Sequence, residues 1–136
     1  MKKVLLDTNV YIDWLNRGDH DAVMVGPGFV RYLSAVVVME LRAGVSNRAS
    51  CDAVDALTRA YRSAGRLVSP SSDVFERAGA VLRKLKFAGR DVRHASLCSD
   101  VLIALTARSI GATVVTTNVS DLAAIQRFEA FSFTKP

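Results

Sequence analysis

The stretch VLLDTNVYIDWL, residues 4–15, opens as a short aliphatic strand and changes character at Asp7, Thr8 and Asn9, three polar residues set where the apolar run ends. Such a trio can start a helix, with Thr8 or Asn9 as the cap and an end near Asn16. The same alternation continues outward along the chain. Residues 29–33 read as a second strand, and Ser34 can cap a helix that runs to Ala43 and stops at Gly44. A longer amphipathic helix is expected from about Ser50 to Ala64, ended by Gly65, followed by a short strand in RLVSP. Residues 71–87 predict a cation-rich helix and residues 96–110 an almost wholly apolar one closed by Gly111. ATVVTT, residues 112–117, is the next strand, and the final segment holds a short helix from Asp121 and a last strand, FSFT. Strands separated by helices imply right-handed crossovers. The expected fold is therefore α/β: an α/β/α sandwich around a mostly parallel sheet of about four or five strands, in a single domain spanning residues 1–136.

Composition bounds the function. At 136 residues with half of them hydrophobic, the chain can bury roughly two-thirds of the surface exposed when unfolded. The longest aliphatic run, Ala35 to Met39, is too short to span a bilayer, so no membrane role is expected. MKKVLL resembles the start of a signal peptide, but Asp7 and Asn9 interrupt the apolar region early. Cys51 and Cys98 lie far apart, without CxxC spacing or a histidine pair, which disfavours a disulfide framework or a zinc site and suits a reducing cytoplasm. A net charge of +5 favours polyanionic partners without identifying one.

In open α/β sheets the ligand site lies beyond the carboxyl ends of the strands, and Asp7 sits at such an end. Glu40, in SAVVVMELRAG, lies inside a helix otherwise apolar enough to rest on the sheet, where an unpaired glutamate is costly. Asp100 poses the same problem near the start of the apolar helix, and Asp121 follows strand ATVVTT at the ligand-binding end. Each signal is weak alone: Asp7 and Asp121 read equally well as helix caps, Asp100 reads as a helix-start acid, and Glu40 has the lesser alternative of pairing with Arg42 or another arginine. If they converge, the repulsion is large, since two unit charges about 4 Å apart interact by roughly 4 kcal/mol at an effective dielectric of about 20. Counter-cations are then required. An oxygen-only donor set suits Mg²⁺ or Mn²⁺, ions that activate water and stabilise charge on a phosphodiester.

VLLDTNVYID, VVVMELRAG, SDVLIALTARSIGATVVTTN and NVSDL, in that order, make the chain resemble the PIN-domain ribonucleases, and among them the VapC-type toxins of prokaryotic toxin–antitoxin pairs. The resemblance covers essentially the whole chain. It implies a parallel sheet flanked by helices, and Asp7, Glu40, Asp100 and Asp121 as the catalytic, metal-binding acids. It further implies support from the Thr8 hydroxyl and from Asn118, the latter orienting a metal water or the scissile phosphate. An RNA substrate, a cognate antitoxin encoded beside the toxin, and homodimers also follow from the resemblance. Two positions depart from the family's pattern: Leu122 stands where an aromatic residue often follows the fourth acid, and Asn118 stands where some members carry that acid.

Beside the acids lies RKLKFAGRDVRHASLCSD, whose Arg83, Lys84, Lys86, Arg90 and Arg93 are candidates for guiding an RNA backbone, or else form a solvated helix face. His94 is a lone histidine for which a metal-based mechanism has no need. Asp19, His20 and Asp21 look like a metal cluster but read better as a solvated loop, and no role is assigned to them. A haloacid-dehalogenase-like phosphatase needs a second acid where Asn9 stands, and neither GxGxxG nor GxxxxGK[ST] occurs. The stronger alternative is a PIN-like module without activity that holds RNA or an antitoxin. Finally, Val36, Val37, Val38, Met39, Tyr11, Trp14 and Leu15 supply more large apolar side chains than two short helices easily bury, which points to an interface.

Overall fold

Lys2–Leu6 forms strand β1, and its last three side chains, Val4, Leu5 and Leu6, are completely buried although they alternate between the two faces of the sheet. A strand buried on both faces must be covered on both, which is the layered arrangement expected. The computed structural model describes residues 1–136. After β1 come α1 (Thr8–Arg17), α2 (Asp21–Met24), β2 (Phe29–Ser34), α3 (Ala35–Gly44) and α4 (Arg48–Ser63). The second half holds β3 (Leu67–Val68), α5 (Ser72–Phe87), α6 (Ala95–Ser109), β4 (Thr113–Val115), α7 (Val119–Gln126) and β5 (Phe133–Thr134). All strand pairings are parallel, and the five strands lie in the order β3-β2-β1-β4-β5.

Side-chain caps set most helix starts. Ser34 accepts a hydrogen bond from the Val36 N–H at 3.1 Å, as expected, and Ser71 accepts one from Val74 at 3.1 Å. Three starts differ from the sequence expectation. Asn47 accepts from Ser50 at 2.9 Å, which draws the start of α4 back to Arg48. The cap of α1 is neither Thr8 nor Asn9 but Asp7, whose extended backbone still donates a strand hydrogen bond to Val115 at 2.8 Å while its carboxylate accepts from the Thr8 N–H. Helix α7 likewise begins two residues early, at Val119, and so carries Asp121 in its first turn.

The chain order places the site. From β1 the chain proceeds to β2 and β3 on one side, then returns through α5 and α6 to lay β4 against the other side of β1. The register pairs Leu6 with Val115, so the residues just beyond both, Asp7 and Thr116, emerge side by side at the point where strand order reverses. Helix α6, with nine buried residues, is the most enclosed helix of the layer that brings Asp100 there. No helix is long and apolar enough to cross a membrane.

Candidate active site

Asp7 is only 4 % exposed and is held by three donors: the Thr8 N–H at 2.8 Å, the Thr116 hydroxyl at 2.8 Å and the Asn9 amide at 3.1 Å. Burial pushes its pKa up, and these hydrogen bonds oppose the shift. Glu40 comes from the sixth position of α3 and accepts from the Thr8 hydroxyl at 2.7 Å. Desolvation also raises its pKa; the Thr8 and Ser99 hydroxyls lower it, and the neighbouring Asp7 charge raises it further.

Asp100, 6 % exposed on α6, has its pKa pushed up to about 8 by burial first and then by the charges of Asp7, Asp121 and Glu40. Hydrogen bonds gather the acids around one space, Thr8 holding Glu40, Thr116 holding Asp7 and the Asn118 N–H joining Thr116. Asn118 spans two of them, donating from Nδ2 to Asp100 at 3.2 Å and to Asp121 at 3.1 Å. Asp121 differs from the rest. Arg90 meets it at 2.6 Å, and this hydrogen-bonded charge holds its carboxyl below the ordinary range. The fourth acid is thus already neutralised by a cation, whereas the other three repel one another without one.

The structure therefore brings together Asp7, Glu40, Asp100, Asp121, Thr8 and Asn118, all six residues the sequence singles out. Three further participants escaped the sequence reading: Thr116, Asn9 and Ser99. Thr116 is fully buried and central, since it donates to Asp7 and accepts from the Asn9 amide at 3.3 Å and the Asn118 N–H at 3.0 Å. The signal for it was present in its place at the end of ATVVTT, the strand beside β1.

The basic stretch divides. Arg83, Lys84 and Lys86 project from α5 into solvent. Arg90 is drawn onto Asp121, and Arg93 is paired with Asp91 through Nε and Nη2, both at 3.0 Å, so two of the five candidate RNA-binding side chains already have carboxylate partners. His94 is exposed, 3.5 Å from Asp91, and takes no part in the acid cluster. Asp19, His20 and Asp21 do not gather either. Arg17 binds Asp19 at 2.8 Å, His20 meets Asp13 at 3.0 Å, and Asp21 accepts from the Trp14 indole at 2.9 Å.

A donor set of buried carboxylates, a hydroxyl and a carboxamide matches a hard divalent cation. No three His, Cys, Asp or Glu side chains are gathered closely enough in this arrangement to grip one ion directly. Mg²⁺ accommodates such a site, because it keeps several waters and binds through one or two carboxylates. A groove of about 390 Å³ opens beside the cluster between α1, α3 and α4, with Ile12, Leu15, Leu41, Val45 and Val54 along its walls and Glu40 on its lining.

The sequence model of the PIN domain family matches residues 4–127, a span that includes every acid of the cluster. The chain belongs to the PIN domain family. Solved structures with the same PIN-like fold include VapBC-1 from nontypeable Haemophilus influenzae, 22% identical over 98% of this chain and 97% of that one, with a TM-score of 0.71. VapBC2 from Rickettsia felis, bound to a DNA fragment from its promoter, is 20% identical over 98% of each chain, with a TM-score of 0.71. VapBC-5 from Mycobacterium tuberculosis, of the VapBC family of toxin–antitoxin systems, is 22% identical over 99% of this PIN domain and 98% of that chain, with a TM-score of 0.64. No curated protein matches the chain in sequence.

Proposed function

We propose that this PIN domain is a metal-dependent endoribonuclease, the toxin of a type II toxin–antitoxin pair of the VapC type. The observation that carries the reading is the convergence of Asp7, Glu40 and Asp100, brought from three separate elements to one place, where burial first and the neighbouring charges second push Asp100 up to about pKa 8. A fold tolerates such a destabilising arrangement when a cation is to be bound there. One or two of Asp7, Glu40 and Asp100 would hold Mg²⁺ or Mn²⁺ directly and the remaining acids, with Asp121 beside them, through its waters. When bound, the ion supplies a water acidic enough to attack a phosphodiester and a positive charge for the developing oxyanion. The chain's own part is positional. Thr8 fixes Glu40, Thr116 and Asn9 fix Asp7, and Asn118 ties Asp100 to Asp121.

The decisive experiment is cleavage of RNA by the purified protein. Activity is expected with Mg²⁺ or Mn²⁺ and not in excess EDTA. Asp7→Asn should keep the fold by circular dichroism, bind Mn²⁺ at least about tenfold more weakly and lose most cleavage, because the side-chain shape survives and a charge does not. Cleavage undiminished by EDTA, in protein shown metal-free by elemental analysis, defeats the proposal. Folded, metal-binding protein that cleaves nothing would favour the module without activity.

The antitoxin partner rests on the groove between α1, α3 and α4. Its apolar walls suit the face of an amphipathic peptide helix, and its lining reaches Glu40. An arginine carried by such a peptide would satisfy the crowded carboxylates in place of the cation.

A further inference from the structure

A second cleft, of about 290 Å³, lies between the end of α5, the loop that follows it and α7. We propose that this cleft is a nucleotide subsite, in which a base of single-stranded RNA lies against Phe128 and Ala124 while Arg127 and Arg90 take the phosphates on either side. The proposal rests on the ribonuclease reading for the source of the nucleotide, and it extends that reading to where the RNA sits and what makes the protein choose among sequences.

The cleft is continuous with the acid cluster. Asp121 and Ala124 lie three residues apart on one face of α7, and Phe128 follows in the turn beyond the helix end, its N–H bonded to the Ile125 carbonyl at 2.9 Å, so this face leads from the acids into the cleft. Along the helix axis Ala124 lies about 4.5 Å from Asp121, at 1.5 Å per residue, so the cleft begins beside the acids. Arg90 lines the cleft and also binds Asp121, so it forms the boundary between the two sites. It uses only Nη2, toward Asp121 and toward the Ser120 hydroxyl at 3.3 Å, and its remaining guanidinium donors face no protein acceptor.

The chemistry of the walls matches the two halves of a nucleotide. Phe128 and Ala124 offer an apolar surface, and the Arg127 guanidinium lies over the Phe128 ring, 5.7 Å from its centroid. An aromatic face and an arginine together form a platform for base stacking, and the cation is available for phosphate. Arg127 has no carboxylate partner. The single acid on the wall, Asp91, does not oppose an anion, because Arg93 satisfies it through its backbone N–H and two guanidinium nitrogens. At Gly89 the backbone has φ +90°, and a Cβ there would meet nothing within 4 Å, so this wall of the cleft is open backbone. An acidic peptide could satisfy the arginines but has nothing to stack, which makes base selectivity the deciding property.

The test uses the full chain in EDTA, with four fluorescein-labelled 2′-O-methyl octanucleotides, each of one base, followed by anisotropy. The parent is expected to separate the four by at least about fivefold. Ala124→Trp, which fills the cleft, and Arg127→Gln, which removes the exposed guanidinium over Phe128, should each weaken the preferred octamer about tenfold and bring the four affinities within about twofold. Equal affinities in the parent, a preference unchanged in both variants, or hexaglutamate competing as well as the octamers would overturn the proposal. Cleavage of RNA with Mn²⁺ separates this outcome from the broader reading. A parent that cleaves without base preference retains the nuclease and loses the subsite, whereas one that binds selectively and never cleaves does the reverse.

Discussion

Asp100 is the residue at which stability and function oppose each other most directly. Its folded pKa of about 8 lies well above the ordinary aspartate value of 3.8. Between those two values the unfolded chain releases a proton that the folded chain keeps, so the group's contribution to stability is fully present below about pH 4 and is lost as pH rises toward 8. Asp100→Asn should therefore stabilise the metal-free protein at pH 7.5 by on the order of 2 kcal/mol, and the gain should vanish near pH 4. Thermal melts across that range check it; a variant less stable than the parent at pH 7.5 would contradict the cost of burying this carboxyl among three other acids. Because the proton must leave before a cation is bound, Mn²⁺ affinity should climb between pH 6 and pH 8.5, readable by titration calorimetry.

At the scale of elements, the sequence was most legible where structure is decided locally. Ser34 as a cap, the strand before Asp7 and the apolar helix around Asp100 follow from neighbours in the chain, and the structure agrees within two residues. Asp7 was legible both as a site residue and as a possible cap, but not as both at once, since both roles use the same carboxylate and only the pairing of β1 with β4 fixes its backbone. Thr116 and the Arg90–Asp121 pair stayed hidden for the same reason: their partners lie 109 and 31 residues away, and no periodicity encodes such a meeting. The basic helix α5 carries a prediction of its own. Arg83, Lys84 and Lys86 changed together to glutamine should weaken RNA binding and flatten its salt dependence, by a slope of up to about 0.7 for each phosphate no longer neutralised. An unaltered slope would leave these side chains as a solvated face.

For the whole molecule, the apolar surplus of the N-terminal half resolves into two parts. Tyr11, Val36 and Val37 are core, Trp14 and Val38 are half-buried against it, while Met39, Ile12 and Leu15 stay exposed, at 60 %, 42 % and 37 %. Ile12 and Leu15 line the groove that leads to Glu40, and Met39 neighbours that acid in sequence. Self-association and antitoxin binding are the two expected uses of this surface. Light scattering across a concentration series should give a dimer mass at high concentration, and a strictly monomeric mass would count against it. Co-expression with the adjacent small gene should yield a stoichiometric complex whose cleavage is suppressed, and Leu15→Asp should weaken that complex at least tenfold.

The return of the chain from β3 to β4 also sets the order in which the acid cluster is assembled. During synthesis Asp7 and Glu40 emerge early, but the strand that fixes Asp7 and the helix that carries Asp100 belong to the last third of the chain. A nascent chain still tethered to its ribosome holds two acids, no neighbour on the β4 side of β1, and nothing to complete the cluster. The topology itself therefore delays completion of the acid cluster until β4 and α6 have followed the first half of the chain.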